Sequence, residues 1–449
     1  MNKTNGGMKK IIMFVLCLFI YFSFAWGQAS VQQYAGTAMP YPFIENSSTF
    51  SSDGMIPFYI NHLGRHGARF PTSGKDLNKV IEVLTFAECE NRLTAEGVEL
   101  LSTVRYLAGL FKNQWGKLSK LGEQEQKGIA GRMIEHYPLL FTGAARIEAI
   151  ATYVPRCINS MDAFLSVIKQ HNSALYIERS EGRQYDTLLR FFDFNKSYVC
   201  YKKNGEWIPV YEAFLEKKIS PAPVMKRLFL NPEQETNEEA RKFVRALFAI
   251  AAILPDTDIS LNLENFFTTE EWFDYWQTQN LRQYLSKSAA PIGKMLPVAI
   301  AWPLLSEFIR TAEEVINGQS NKQANFRFAH AETVIPFVAL LGIEKTDSSI
   351  ANPDSVALYW KDYEIAPMAA NVQWIFYRDN EQNVWIKILL NEQEAALPLA
   401  TDRFPYYQWE EVHNFLSQRI LMAQRILSSL EVTDKNNLGE INLFCYFKF

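Results

Sequence analysis

A short apolar strand that runs into a charged, glycine-containing turn is the feature that most constrains this chain. Residues 55–63 are largely apolar, residues 65–71 read Arg-His-Gly-Ala-Arg-Phe-Pro, and apolar side chains then recur at helical spacing over residues 77–84. A strand, a polar turn with glycine and a helix form the unit with which α/β folds present charged groups at the carboxyl edge of a sheet. The sequence therefore predicts an α/β core with a functional turn at that edge.

The turn places one imidazole, His66, between two guanidinium groups, Arg65 and Arg69. Arginine binds phosphate oxygens two at a time, and histidine is a nitrogen nucleophile that can attack phosphorus near neutral pH. Gly67 allows the backbone to approach a ligand where a Cβ would block it. The turn is therefore predicted to bind a phosphoryl group, with His66 as nucleophile.

The same strand–turn–helix unit recurs twice. Residues 147–154 are β-rich and lead to Arg156 at the start of a helix-like run, and residues 325–329 form a short strand that ends in the sequence His-Ala-Glu, at His330 and Glu332. Each unit delivers a cationic or acidic group directly after a strand. We expect all three turns to contribute to one site.

In this order the motifs resemble the acid-phosphatase branch of the histidine phosphatase superfamily. The resemblance is carried by residues 65–71, by a Leu-Ser-x-x-Gly stretch that ends at Gly122, and by Arg156 followed by Ser160 and Phe164. It implies a phosphoglycerate mutase-like α/β fold, a three-layer core with a mixed central sheet flanked by helices, plus an inserted α-helical cap domain. It also implies a phosphohistidine formed on His66, with the phosphate oxygens surrounded by Arg65, Arg69, Arg156 and His330.

The second motif narrows the resemblance. Many acid phosphatases have His-Asp at this place, whereas His330-Ala-Glu332 resembles the multiple inositol polyphosphate phosphatase family, as does the stretch 188–193. The acid lies one residue later, and the extra methylene of glutamate offers a way to regain its reach. The resemblance implies that Glu332 protonates the leaving oxygen and that the small-molecule substrate is phytate or another inositol polyphosphate. No cofactor and no metal are expected, and activity is expected from acidic to neutral pH.

A hexakisphosphate needs cations beyond those at the scissile group. The candidates are Lys75, just after the first motif, and Arg179 or Arg183 further along the chain. Arg183 is preferred because it lies in the segment expected to roof the pocket, although each of these residues is equally compatible with a solvated surface charge.

Periodicity and capping signals predict the remaining elements. Helices are predicted for residues 93–112, 240–254, 272–285, 304–316 and 409–430, and strands for residues 372–377 and 384–390. Residues 170–295 show helical patterns without a strand of clear alternation. We therefore predict a first part of the phosphatase core at 28–169, an α-helical cap insertion at 170–295 and a second part of the core at 296–449.

Residues 1–27 have the lysines, apolar run and small-residue end of a secretory signal. A membrane anchor is the alternative, but a spanning helix needs about 20 apolar residues and this run is shorter. Cleavage near Gly27 predicts a secreted or periplasmic protein with no stable membrane span. The four cysteines that remain allow three disulfide pairings, which stay open: Cys89, Cys157, Cys200 and Cys445.

Composition limits the partners. Hydrophobic residues make up 48% and charged residues 21%, as in ordinary globular enzymes, and the formal net charge of −4 becomes −7 once the three signal lysines are removed. A chain with this charge has no global basic field for nucleic acid, so an anionic substrate must be bound by a local basic pocket.

Three alternatives remain open. The chain could be a broad-specificity histidine acid phosphatase acting on sugar phosphates or bisphosphoglycerate, a phosphate-ligand binding protein without turnover, or a mutase. The presence of both His66 and Glu332 argues against the binding protein, and product tracking separates a mutase from a hydrolase.

Overall fold

The computed structural model describes residues 31–42, 54–234 and 236–436. The predicted signal at 1–27 and Cys445 lie outside this range. At the centre is one sheet of eight strands. The strands are β1 (Ile56–Arg65), β2 (Arg146–Ala151), β3 (Tyr176–Glu181), β4 (Lys322–Ala329), β5 (Asn371–Arg378), β6 (Val384–Leu390), β7 (Gln393–Glu394) and β8 (Tyr406–Gln408).

The sheet is mixed, as the resemblance implied. Its order is β3-β2-β4-β1-β5-β6-β7, with β8 paired to β6. The strands β3, β2, β4 and β1 run parallel, whereas β5 is antiparallel to β1 and β6 is antiparallel to β5. Register places the last residue of β1, Arg65, opposite the last residue of β4, Ala329. The turns that follow these two strands therefore begin side by side.

The described residues form twelve longer helices. They are α1 (Lys75–Cys89), α2 (Ala95–Phe111), α3 (Lys120–His136), α4 (Pro155–His171), α5 (Lys196–Asn204), α6 (Trp207–Lys218), α7 (Ala222–Leu228), α8 (Asn237–Ile253), α9 (Thr269–Lys287), α10 (Trp302–Ile316), α11 (Ala331–Leu341) and α12 (Trp409–Asn436). Shorter α-helices span Asp186–Leu189, Phe191–Phe194, Leu296–Ala299, Val356–Tyr359 and Asp362–Ile365. The predicted helices and strands are thus confirmed within a few residues at their ends.

The two faces of the sheet are covered by different helices, because successive strand residues point to opposite faces. Trp374 and Phe376 of β5 pack in the larger core, with α1, α10, α11 and the helices between β3 and β4. Ile375 and Tyr377 of the same strand pack in the smaller core, with α3 and α4. This is the predicted three-layer arrangement.

One prediction about the insertion needs correction. Residues 170–295 were predicted to be helical throughout, but β3 lies within them and pairs in parallel with β2 at the edge of the sheet. The pattern was missed because β3 is a short edge strand whose exposed and half-buried residues lack apolar alternation. The chain leaves the sheet after Glu181, and helices then fill the sequence up to β4.

Two helix starts follow the predicted capping signals. Thr268 accepts a hydrogen bond from the backbone of Glu271, whose side chain bonds back, forming a complete capping box at the start of α9. Thr236 caps α8 through its side chain. Within the described ranges no single helix is long and apolar enough to cross a membrane, although the bent pair Thr269–Gly293 and Leu296–Ile316 matches by length and composition.

Candidate active site

His66 lies directly after β1, at the carboxyl edge of the parallel strands. Its backbone N–H donates to Ala329 O at 3.1 Å, and its own carbonyl accepts from the backbone of Ala369 at 3.0 Å. The ring atom Nδ1 lies 2.9 Å from Gly67 O. Because a carbonyl oxygen only accepts, Nδ1 carries the proton and Nε2 keeps its lone pair.

The charge state of His66 is set by its surroundings. Burial, followed by the positive charges of Arg65, Arg156 and Arg69, lowers the pKa of His66 well below its usual value. The imidazole is therefore neutral at mildly acidic and neutral pH, which is the state a nitrogen nucleophile requires.

Two glycines let the first motif pack directly on the start of α3. A Cβ added to Gly67 would lie 2.4 Å from Gly122 O, and a Cβ added to Gly122 would lie 2.1 Å from Ala68 O. Both distances are shorter than real Cβ contacts, so the backbones touch where a side chain would separate them. The Leu-Ser-x-x-Gly stretch thus serves as the floor on which the turn rests.

Three polar side chains fix the turn on that floor. Ser160 of α4 accepts from the backbone N–H of Gly67 at 3.1 Å. Glu125 of α3 accepts from the backbone of Ala68 at 2.6 Å, and Gln126 donates to Arg65 O at 2.9 Å. Hydrogen bonds from α3 and α4 therefore both hold the backbone of the turn that follows β1.

Three arginines, Arg65, Arg69 and Arg156, lie close enough to His66 for their charges to affect its pKa. Arg65 is buried and its Nη1 donates to the backbone carbonyls of Thr37 at 2.5 Å and Ala366 at 2.7 Å. Burial, then the charges of Arg156 and Arg65, lowers the pKa of Arg69 to about 10. The Nε atoms of all three arginines are buried without a hydrogen-bond partner in the described structure. Unsatisfied buried donors of one charge are typical of a site that awaits an anion.

His330 follows β4 and faces His66, with ring centroids 5.7 Å apart. Its Nε2 lies 3.1 Å from Nη1 of Arg190, a side chain that the sequence analysis did not assign. Since a guanidinium only donates, Nε2 is the acceptor and Nδ1 carries the proton. Burial, followed by the charge of Arg156, lowers the pKa of His330 to about 3.

Arg190 is itself held in place. Its Nη2 donates to Asp193 at 2.5 Å, and its guanidinium lies over the rings of Tyr153 and Phe192 at 5.0 and 5.4 Å. Arg190 lies in the stretch 188–193, which resembles the multiple inositol polyphosphate phosphatase family. That resemblance is the sequence signal that points to this arginine.

Glu332 lies in the first turn of α11 and its side chain is 38% exposed. Its Oε1 accepts from Nζ of Lys287, at the end of α9, over 2.8 Å. Burial opposes ionisation, but the charge and hydrogen bond of Lys287 outweigh it and hold the pKa of Glu332 well below its usual value. Lys287 thus favours the ionised form of the Glu332 carboxyl, whereas the predicted role of Glu332 requires the protonated form when substrate binds.

The three remaining candidates are exposed at the surface. Arg183 is 73% exposed and its guanidinium lies 4.0 Å from the centre of the Tyr153 ring, the ring that Arg190 also covers. Lys75 is exposed at the first residue of α1. Arg179 is on β3 and pairs with Asp162.

A buried pair of carboxyl groups lies behind the arginines and was also missed. Burial raises the pKa of Glu125 to about 7, and burial together with the charge of Glu125 raises the pKa of Asp256 well above its usual value. Both carboxyls are close enough to Arg65 for their charges to affect its pKa. Glu125 lies three residues after Gly122, so its place in that motif was the available signal.

Among the described cysteines, Cys89 and Cys157 are free thiols. Cys157 is buried beside His330, and its Sγ donates to Ala329 O at 3.1 Å. No group of three or more His, Cys, Asp or Glu side chains within residues 31–42, 54–234 and 236–436 is placed to hold a metal ion. A neutral imidazole with a free Nε2, surrounded by arginine donors, can attack a phosphoryl group and stabilise its oxygens.

These features are typical of a site that binds phosphoryl groups in an α/β enzyme. Residues 59–391 match the histidine phosphatase superfamily (branch 2). The chain belongs to this family and is a phosphoric monoester hydrolase.

Curated relatives are similar over most of their length. Multiple inositol polyphosphate phosphatase 1 of Homo sapiens is 21% identical over 86% of this chain and 82% of its own, and that of Gallus gallus is 20% identical over 75% and 76%. The multiple inositol polyphosphate phosphatase of Bifidobacterium longum, solved as a complex with inositol hexasulfate, has a similar fold. Its TM-score is 0.73 at 18% identity, over 86% of this chain and 97% of that one.

Proposed function

We propose that this chain hydrolyses the phosphomonoesters of inositol polyphosphates such as phytate, one phosphate at a time, through a phosphohistidine on His66. The observation that carries this proposal is the tautomer of His66. The Gly67 carbonyl holds the proton on Nδ1, which leaves the lone pair on Nε2. Three arginines with unsatisfied buried Nε donors lie close enough to His66 for their charges to lower its pKa.

In the first step, Nε2 of His66 attacks phosphorus while the bond to the leaving alkoxide breaks. Arg65, Arg69 and Arg156 bind the non-bridging oxygens, where negative charge is concentrated. The Gly67 carbonyl stabilises the positive charge that the imidazole gains on phosphorylation. His330 donates a ring N–H to the same oxygens. A bound phosphate dianion favours the protonated imidazole or replaces its contact with Arg190.

The leaving alkoxide needs a proton, and Glu332 supplies it from its carboxyl group. In the second step the Glu332 carboxylate takes a proton from water as the water oxygen attacks phosphorus. The bond from phosphorus to Nε2 breaks, inorganic phosphate forms, and the Glu332 carboxyl holds the proton taken from water. The step requires no group other than these side chains and water.

Two findings support an inositol polyphosphate as the substrate. The curated relatives are named for this substrate class, and the similar B. longum structure is a complex with inositol hexasulfate, a polyanion of the same shape class. The second support is the His-Ala-Glu motif at His330 and Glu332. A broad-specificity phosphatase acting on sugar phosphates is the alternative that a substrate panel addresses.

We further propose that residues 1–27 direct export and are removed, which makes the mature enzyme secreted or periplasmic. The amino-terminal sequence of the protein recovered from its native host tests this directly. A start near residue 28 supports export, whereas an intact amino terminus contradicts it.

The activity is tested by phosphate release from inositol hexakisphosphate in EDTA at pH 5 and pH 7. We expect release by the wild type and its loss, by at least a thousandfold, in His66→Ala. His171→Ala is the matched control, because His171 is exposed at the end of α4 and should leave the rate unchanged. Trapping of an alkali-stable, acid-labile phosphoenzyme tests the intermediate.

Other outcomes separate the alternatives. Release from sugar monophosphates without release from inositol hexakisphosphate would keep the mechanism and refute the substrate. Tight binding of inositol hexakisphosphate without any release would indicate a binding protein. Phosphate recovered on another position of the same inositol, rather than in solution, would indicate a mutase.

A further inference from the structure

The ion pair between Lys287 and Glu332 conflicts with the role of Glu332 as an acid. Lys287 Nζ lies 2.8 Å from Glu332 Oε1, and the lysine side chain is only 12% exposed. An ammonium group that pairs with a carboxylate lowers the pKa of the carboxyl group, so the carboxyl stays ionised at the pH values at which phosphomonoesters are hydrolysed. The ion pair with Lys287 therefore holds the proposed proton donor in its ionised, unproductive state.

Lys287 combines a fixed backbone with a flexible side chain. The backbone around it is fixed, because the next residue, Ser288, donates its hydroxyl to Thr346 O at 3.1 Å and its N–H to Tyr284 O at 3.0 Å. The four-carbon side chain of lysine is flexible and carries a point charge without a required direction. Its Nζ can therefore exchange one anionic partner for another while α9 stays in place.

Other titratable groups also lie near the pair of Lys287 and Glu332. The charge of Glu332 acts to raise the pKa values of Arg65 and Arg69 in the first motif. His330, which directly precedes α11, acts to lower the pKa of Glu332. The charge of Lys287 acts to lower the pKa of Asp362, and the charge of Glu332 acts to raise the pKa of Tyr198. Of these neighbours, Asp362 alone carries a carboxyl group.

We propose that Lys287 is a ligand for a second phosphate group of the substrate, and that its transfer from Glu332 to that phosphate releases Glu332 to take up the proton the leaving group needs. This inference rests on the proposed function. Lys287 is then a specificity-determining residue, because only a substrate with a phosphate beside the scissile one can draw the ammonium away. A simple monoester leaves the ion pair intact and Glu332 ionised.

The proton balance follows from this exchange. Glu332 gains a proton from solvent when Lys287 moves to the second phosphate and the substrate dianions surround the carboxyl. It gives that proton to the leaving alkoxide as the bond to phosphorus breaks, and regains one from the attacking water. When product leaves, the proton returns to solvent and Lys287 pairs with the carboxylate again.

The preference for polyphosphates should therefore appear in kcat as well as in KM. The experiment compares inositol hexakisphosphate with inositol monophosphate, which has the same class of leaving group, from pH 4 to pH 8. p-Nitrophenyl phosphate is included because its phenolate leaves without a strong acid and reports on His66 alone. Fold is checked by circular dichroism and by this third substrate.

In Lys287→Met we expect KM for inositol hexakisphosphate to rise roughly tenfold or more, since one charge-assisted contact is lost. The kcat for inositol monophosphate should rise, and the pH at which it begins to fall should move upward toward that for the hexakisphosphate. Lys287→Arg should keep the wild-type ratio of the two kcat values. Lys217→Met is the matched control, because Lys217 pairs with Asp354 at 2.7 Å on the exposed side of the same insertion.

Unchanged kcat ratios and pH profiles in an active, folded Lys287→Met would overturn the inference. A loss of kcat on both inositol substrates with p-nitrophenyl phosphate spared would also overturn it, because Lys287 would then be the acid itself. If this variant does not fold, Lys287→Gln and the pH profiles of the wild type on the two inositol substrates decide the question, and coincident wild-type profiles overturn the inference. Failure of the proposed function differs from all of these, since the wild type itself would then release no phosphate from inositol hexakisphosphate.

Discussion

Substitution of Gly122 by alanine tests whether the packing of the first motif on α3 governs activity. The added Cβ would lie 2.1 Å from Ala68 O and 2.8 Å from Ala68 N, both backbone atoms of the motif turn. Real Cβ atoms essentially never come within 3.0 Å of another group, so the turn and the helix must separate by about 0.9 Å or more. The turn carries His66, so the nucleophile moves with it.

The size of the effect follows from that displacement. Overpacking of this kind destabilises a protein by about 1–3 kcal/mol. A misplacement of reacting groups by about 1 Å reduces the rate by about a hundredfold. We therefore expect Gly122→Ala to lower kcat/KM for inositol hexakisphosphate by about that factor and to lower the urea midpoint of unfolding.

The matched control is Gly131→Ala on the same helix. A Cβ at Gly131 meets no atom within 4 Å, so alanine should stabilise α3 by about 0.5–1 kcal/mol and leave activity unchanged. The two alanine variants should thus shift the urea midpoint in opposite directions. Equal stability and equal activity of the two variants would refute the argument that Gly122 is required for close backbone contact.

Three further predictions concern the groups around the turn. Ser160→Ala should destabilise the protein by about 1–3 kcal/mol, measured by urea unfolding, because the buried N–H of Gly67 loses its acceptor. Burial raises the pKa of Glu125 to about 7 from an ordinary value of 4.5, so the folded state holds this proton more tightly than the unfolded state. Stability should therefore fall by on the order of 3 kcal/mol as pH rises from about 4.5 to 7, and Glu125→Gln should flatten that slope. Arg190→Met should raise the pKa of His330, measured by NMR of the labelled imidazole, because the charge of Arg190 disfavours the imidazolium ion.

Matched variants make these results specific. Glu123→Gln changes an exposed carboxylate on the same helix and should keep the pH slope of the wild type. Arg179→Met removes a surface arginine that pairs with Asp162 and should leave His330 unaffected. A stability slope that persists in Glu125→Gln would mean that another group, such as Asp256, carries the titration, and an unchanged pKa of His330 in Arg190→Met would mean that their contact is absent in solution.

The fold was largely predictable because its signals are local. The period of the apolar residues predicts the strands and helices, and the three turns that follow strands were expected at the carboxyl edge of the sheet. The exception was β3, whose assignment depends on pairing with β2 because its own residues lack alternation. An edge strand of this kind forms through its hydrogen bonds to the adjacent strand. The residue pattern of the edge strand itself does not indicate which strand lies beside it.

The sequence by itself determined the chemistry that one turn can perform. Residues 65–71 place His66 between two arginines, and their residue types alone indicate phosphoryl binding and nucleophilic attack. Only the tertiary structure decided the protonation states. Lys287 holds Glu332 ionised from 45 residues away, and Arg190 contacts His330 from 140 residues away. Such contacts depend on how the helical insertion packs against the sheet, and electrostatic energies change steeply with distances that only the packed fold sets.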